Sequence, residues 1–176
     1  MECITQNQII DTIFGLYNQQ LGPNFVPYRN HVYRVFNLTL ARHKPDNIRV
    51  LEVAAAFHDL GIYTHSTFDY LEPSIELALQ YAQKLSFSQY ELKELQATIV
   101  YHHKLSKVRV SALAEAFRMA DITDLSWGLL PNSHPKALIA CLKANFPNKG
   151  FHLSLTRLFL KNLWHHPFNP LPMYKW

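Results

Sequence analysis

No apolar run in this 176-residue chain approaches the roughly 20 residues that span a bilayer, so no membrane span is expected. No segment alternates at strand period over a useful length, and there is no internal repeat or low-complexity tract, which leaves helices as the regular structure. Like charges are never gathered into a block. The 17 lysines and arginines are scattered, and the formal net charge is +4. That excludes a dedicated nucleic-acid surface and suits a small anionic ligand. Cysteine is scarce: Cys3 and Cys141 lie far apart, as expected of free thiols in a reducing compartment rather than of a disulfide framework. The N-terminal stretch has an acidic residue and no basic n-region, so a secretory signal is not expected there and a cytoplasmic location is.

Hydrophobic side chains recur at helical spacing instead. Ile9, Ile10, Ile13, Phe14 and Tyr17 predict a helix over roughly 4–20, ended by Gly22-Pro23. Pro27-Tyr28-Arg29-Asn30 reads as a loop in which Asn30 caps a helix over 31–42. That places His31 at a helix start, on the stripe shared with Val35 and Leu38. A helix over about 48–60 carries Val50, Leu51, Val53, Ala54 and Phe57, with Gly61 as its stop. Residues 62–71 read as a loop. Pro73 opens the next helix, and Ser88 to Glu91 forms a capping box before another. A helix over 110–126 holds Asp121 on its apolar face. A short helix near 136–146 and a last one over 151–164 precede a tail, 167–176, that three prolines keep from being helical; its aromatics are expected to pack on the body or on a partner. The expected class is all-α, one domain over 1–176, with seven or eight helices.

The stretch that carries chemistry is Ala54-Ala55-Ala56-Phe57-His58-Asp59-Leu60-Gly61. Small residues let helices approach closely, and an imidazole beside a carboxylate at the end of a buried segment is costly without a partner. A divalent cation would be one, since a mixed nitrogen and oxygen donor set suits zinc, iron, manganese or nickel. His31 and Asp121 face inward from two other helices, and a carboxylate on an apolar face is expensive unless paired. His31, His58, Asp59 and Asp121 are therefore the expected ligands, drawn from three helices as in other helical metal sites.

The order of these residues resembles the HD superfamily of metal-dependent phosphohydrolases. The segments that carry the resemblance are Asn30-His31-Val32-Tyr33-Arg34-Val35, residues 54–61 above, and Arg118-Met119-Ala120-Asp121-Ile122-Thr123-Asp124, within about 28–127. Residues 131–176 lie outside it. The resemblance implies an all-α fold, a His, His, Asp, Asp site for one divalent ion (Fe, Mn, Zn, Ni, Co or Mg) and attack of a metal-activated water on a nucleotide or other small phosphoester. Two-metal branches have further histidines, and His102-His103 leaves a second ion open. The third residue after Asp59 is Ile62, where nucleotidase-type branches have an acid; the nearest here is Asp69.

Around that core, Asp59 is expected to orient the water, and His65 or Asp69, in the following loop, to donate a proton to the leaving group. Arg34 is expected either to clamp a phosphate as a bidentate donor or to lie on the surface. His102, His103 and Lys104 are expected at the substrate, or else as packed and solvated residues, and Lys107 and Arg109 as a basic rim. Asp124 reads as a supporting or a surface acid. The competing readings are a hydratase with one metal and a small apolar pocket, a di-iron oxygenase, and a ligand-binding regulatory domain. A homo-oligomer is compatible with all of them.

Overall fold

The computed structural model describes residues 3–173. Among them are ten α-helices and one 3₁₀ turn, and no strand. The helices are α1 (Gln8–Leu16), α2 (Asn18–Leu21), α3 (Phe25–Arg42), α4 (Ile48–Phe57), α5 (Gly61–Thr64), α6 (Leu71–Lys84), α7 (Gln89–Val100), α8 (Ala112–Leu125), α9 (Lys136–Asn145) and α10 (Phe151–His165). The all-α class is as expected. Helix starts follow side-chain chemistry. Asn7, Asn47, Ser88 and Ser111 each accept a backbone N–H of the first turn that has no intrahelical partner. Ser88 and Glu91 form the expected capping box.

α3 departs from expectation at its start. It begins at Phe25, so Asn30 and His31 lie inside it. Pro27 falls in the first turn, where a missing N–H costs nothing, and the helix runs through it. Asn30 does not cap; its Nδ2 donates to the Pro147 carbonyl at 2.7 Å. α3 packs along α8, and α4 packs against α7, α6, α3 and α1. α4 is the central element: every residue from Val50 to Phe57 is buried, and the three alanines allow its neighbours to approach closely.

Gly61 is not a helix stop. It opens α5, one turn beyond α4, and lies against the start of α6. A Cβ there would meet the Tyr70 carbonyl oxygen at 2.5 Å and Ser74 Oγ at 2.9 Å. Gly61→Ala is therefore expected to cost about 1–3 kcal/mol, as overpacking does, because the backbone of Tyr70 must give way. Chemical denaturation checks this; an unchanged midpoint would mean the α5–α6 junction is looser than the structure shows.

The cysteine expectation is corrected. Cys3 and Cys141 form a disulfide that ties the N-terminal segment to α9, with Cα atoms 7.0 Å apart. Distance in sequence misled, because Ile4 pairs with Asn37 on α3 while α9 packs on the same helix, which brings Cys3 to Cys141. The premise for a reducing, cytoplasmic compartment goes with it. Among the described residues, no helix is long and apolar enough to cross a membrane.

Within residues 167–173 the tail docks on the body of its own chain through Met173 and not through its aromatic, since Phe168 is fully exposed, contrary to expectation. Met173 is buried against Ile62, Tyr70 and Leu71, and Asn162 Nδ2 donates to the Pro170 carbonyl at 2.9 Å. Tyr174, Lys175 and Trp176, on which part of the aromatic expectation rested, lie outside the described residues.

Candidate metal centre

Four elements converge at the centre. α3 contributes His31; the turn after α4 contributes His58 and Asp59; the turn after α7 contributes His102 and His103; α8 contributes Asp121. The Tyr28 hydroxyl secures the turn after α4, donating to the Ala56 carbonyl at 3.0 Å and accepting the Asp59 backbone N–H at 3.3 Å. Phe151 stacks on the His31 ring at 4.2 Å, and Phe117 meets the His58 ring edge-on at 5.2 Å. His31, His58 and His102 have no solvent exposure.

Each of these three imidazoles has its Nδ1 committed. His31 Nδ1–H donates to Asp124 at 2.7 Å, His58 Nδ1–H to the Ala55 carbonyl at 2.8 Å, and His102 Nδ1–H to the Ile99 carbonyl at 2.6 Å. The last two share one device: the ring of a residue just past a helix end folds back onto the carbonyl three residues earlier. Such partners set the tautomer and leave Nε2 with a lone pair, the arrangement of a metal-bound histidine.

The lone pairs point at one another. His31 Nε2 lies 3.0 Å from His58 Nε2 and 3.5 Å from Asp121 Oδ1. His58 Nε2 is 3.4 Å from Asp59 Oδ2, and His102 Nε2 is 3.3 Å from Asp59 Oδ1. Ligands about 2.1 Å from an ion stand about 3.0–3.4 Å from each other. Among the described residues, Asp59 Oδ1, His102 Nε2 and both Asp121 oxygens are buried with no aligned hydrogen-bond partner. Acceptors facing acceptors in a dry interior repel unless a cation sits among them. The donor set therefore fits a divalent ion, and its mix of imidazole and carboxylate fits a first-row metal. The triplets within reach of one ion are His31, His58 and Asp121; His58, Asp59 and His102; and His102, His103 and Asp121.

The charges respond to this crowding. Burial pushes His58 down to about 3, so it is neutral at ordinary pH. Burial likewise pushes Asp121 up to about 7, with His31 and His102 resisting and Asp59 adding to the rise. Burial opposes charge on Asp59 as well, but His58 and His102 outweigh it and hold that carboxyl well below the usual range. For His102, burial lowers and Asp59 raises, and the net direction is up. Below about pH 7, Asp121 thus carries a proton that an incoming ion must displace, and the raised His102 acts in the same sense. Metal affinity is expected to fall at least about tenfold per pH unit below about 7 and to level off above it. Chelator competition between about pH 5 and 8 measures this; a flat profile would remove Asp121 from the ligand set.

Asp124, one turn beyond Asp121, is a buried strut. Besides His31 it holds Arg34, whose Nε and Nη2 donate to it at 2.5 and 2.9 Å. Burial disfavours its charge, yet His31 and Arg34 outweigh that and keep it ionised. Arg34 is also bound to the Phe146 carbonyl at 2.8 Å and is almost wholly buried. It is neither a surface residue nor a clamp open to a phosphate, because Asp124 already occupies the bidentate fork.

Asp59 and His103 also line a cavity of about 250 Å³, with Ile62, Phe68, Tyr70, Leu125, Leu155, Thr156, Phe159, Leu171 and Met173. The Tyr70 hydroxyl is hydrogen-bonded to His103 Nε2, and His103 Nδ1 is 3.9 Å from Asp121 Oδ2. The other candidates stand elsewhere. His65 is exposed and bonded to Thr64, and Asp69 is exposed. Lys104 lies over the Tyr101 ring. Lys107 and Arg109 line a separate groove with Arg42 and His43. His134 is a packing residue bonded to the Leu38 and Pro131 carbonyls. Among the described residues six donors converge; sequence spacing singled out four of them, His31, His58, Asp59 and Asp121, and left the roles of His102 and His103 open. It missed Tyr28, Tyr70 and Phe151, whose part is set by tertiary contact and has no local signal.

In an all-helical domain, buried imidazoles and carboxylates from four elements converge in a cluster that could hold a divalent cation. The chain belongs to the HD domain family, whose model matches residues 28–126, more than half its length. That family is of the metal-dependent hydrolase type. Neither curated proteins nor solved structures yield a match.

Proposed function

We propose that the protein is a metal-dependent phosphohydrolase acting on a small phosphoester. The observation that carries this is the ring of buried donor atoms without hydrogen-bond partners, with Asp59 shared between that ring and the adjoining cavity. His31, His58, Asp59 and Asp121 would hold one divalent ion. His102 would join them, or would take a second ion together with His103 and Asp121. When bound, the ion lowers the pKa of a water and polarises a phosphoryl oxygen. Asp59 orients that water toward phosphorus. His103, bonded to Tyr70, faces the phosphoryl group from the cavity side; burial and then His102 hold it well below the usual imidazole range, so it is neutral and relays to the departing oxygen the proton that the attacking water gives up. Leu155 and Phe159 of α10 and Leu171 and Met173 of the tail form the cavity's apolar wall.

Elemental analysis of the purified protein, followed by a panel of phosphomonoesters, phosphodiesters and nucleotides with Fe, Mn, Zn, Co, Ni and Mg, tests this. Stoichiometric metal with metal-dependent phosphate release is expected. Metal without turnover on any phosphoester would end the hydrolase assignment. One observation favours a second reading: among the described residues, no lysine or arginine lines the cavity. Addition of water to a small uncharged molecule such as a nitrile needs no phosphate-binding cation. Amide formation from nitriles, with a single zinc bound and phosphoesters untouched, would select it.

A further inference from the structure

We infer that the substrate carries an apolar alkyl or aryl group of about eight heavy atoms, seated in the cavity between α10, the tail and the loop before α6. This rests on the phosphoester reading and deepens it to the phosphomonoester of an apolar alcohol. The cavity shares Asp59 and His103 with the metal centre, so a ligand lodged in it has its polar end at the donor atoms. The remaining wall is largely apolar: Ile62 and Phe68 on one side, Leu155 and Phe159 from α10, Leu171 and Met173 from the tail. Its volume of about 250 Å³ holds roughly eight water-sized heavy atoms. The sugar hydroxyls and base edges of a nucleoside would find, among the described residues, only Thr156 and Tyr70 as neutral polar partners in the lining.

Charge points the same way. The arginine nearest the centre is spent on Asp124, and Lys104 rests on Tyr101. Among the described residues, a phosphate chain extending from the centre would meet no lysine or arginine in the cavity, whereas a monoester group is balanced at the metal and its hydrocarbon is taken from water by the wall. In the reaction, the water oxygen bonds to phosphorus and the P–O ester bond breaks, its electron pair staying on the alkoxy oxygen. That oxygen takes a proton and leaves as the alcohol, and inorganic phosphate is the other product.

Calorimetry of the metal-loaded protein with ethyl- to octylphosphonate, which cannot be hydrolysed, and with the matching alkanols tests this. Kd is expected to fall about fourfold per added methylene until the cavity is full. Leu155→Gln and, in a separate loop, Phe68→Ser are expected to flatten that dependence while helix content by circular dichroism is unchanged. A chain-length dependence in the alkanols but no phosphonate binding keeps the cavity and rejects the phosphoester reading. An affinity that ignores chain length in both series, a dependence that survives both substitutions, or tighter binding of adenosine monophosphate than of octylphosphonate overturns the apolar-substrate inference.

Discussion

Asp59→Ala is expected to leave the protein with no tightly bound divalent ion and with phosphate release at the uncatalysed background. Asp59 faces two imidazole nitrogens closely, with His58 Nε2 at 3.4 Å and His102 Nε2 at 3.3 Å. It also lines the cavity, as His103 does. Alanine removes a donor, strips negative charge from a site that must receive a dication, and removes the group proposed to orient the water. The fold should survive. In the ion-free protein Asp59 and Asp121 are acids crowded into one dry space, and deleting one relieves repulsion as well as attraction to the histidines. Metal content by elemental analysis, turnover and thermal unfolding should be read together. A soluble, folded Asp59→Ala variant that keeps stoichiometric metal and full activity would falsify the assignment.

The second large effect is at Asp124, the buried acid behind His31 and Arg34. Asp124→Ala is expected to destabilise the protein by about 3–5 kcal/mol, the usual result of removing one partner of a buried ion pair. Arg34 would be left with only the Phe146 carbonyl, and His31 would lose the acceptor that fixes its Nδ1–H. Asp124→Asn separates the two roles. It keeps the shape and an oxygen for Arg34 but weakens the acceptor behind His31, so metal affinity is expected to fall about 10- to 100-fold. Urea denaturation of the ion-free variants reads the first effect and metal competition the second. Wild-type metal affinity in Asp124→Asn would show that His31 needs no carboxylate behind it.

Much of the site was legible because burial of polar groups is so costly that it marks itself. An aspartate on the apolar stripe of α8 and a His-Asp pair after an alanine run are hard to explain without a partner, and both stand at the centre. Arg34 was harder. Its helical position is compatible with a surface, a phosphate or a buried acid, and only the packing of α3 along α8 decides for Asp124. His65 and His103 exchanged importance for a similar reason. Proximity to the His-Asp pair in the chain favoured His65, but α5 carries it outward while the end of α7 brings His103 to the metal donors.

Helix identity, the capping of α7 and the identity of the inward-facing acids followed from residue type and period alone, because those are local energies repeated every turn. The start of α3 did not, since a first-turn proline reads the same in a loop as in a helix. The disulfide, the buried strut behind His31 and the apolar chamber roofed by the tail were decided by tertiary structure alone. Each depends on residues tens of positions apart meeting in space, and no short-range pattern encodes the free energy of such a meeting.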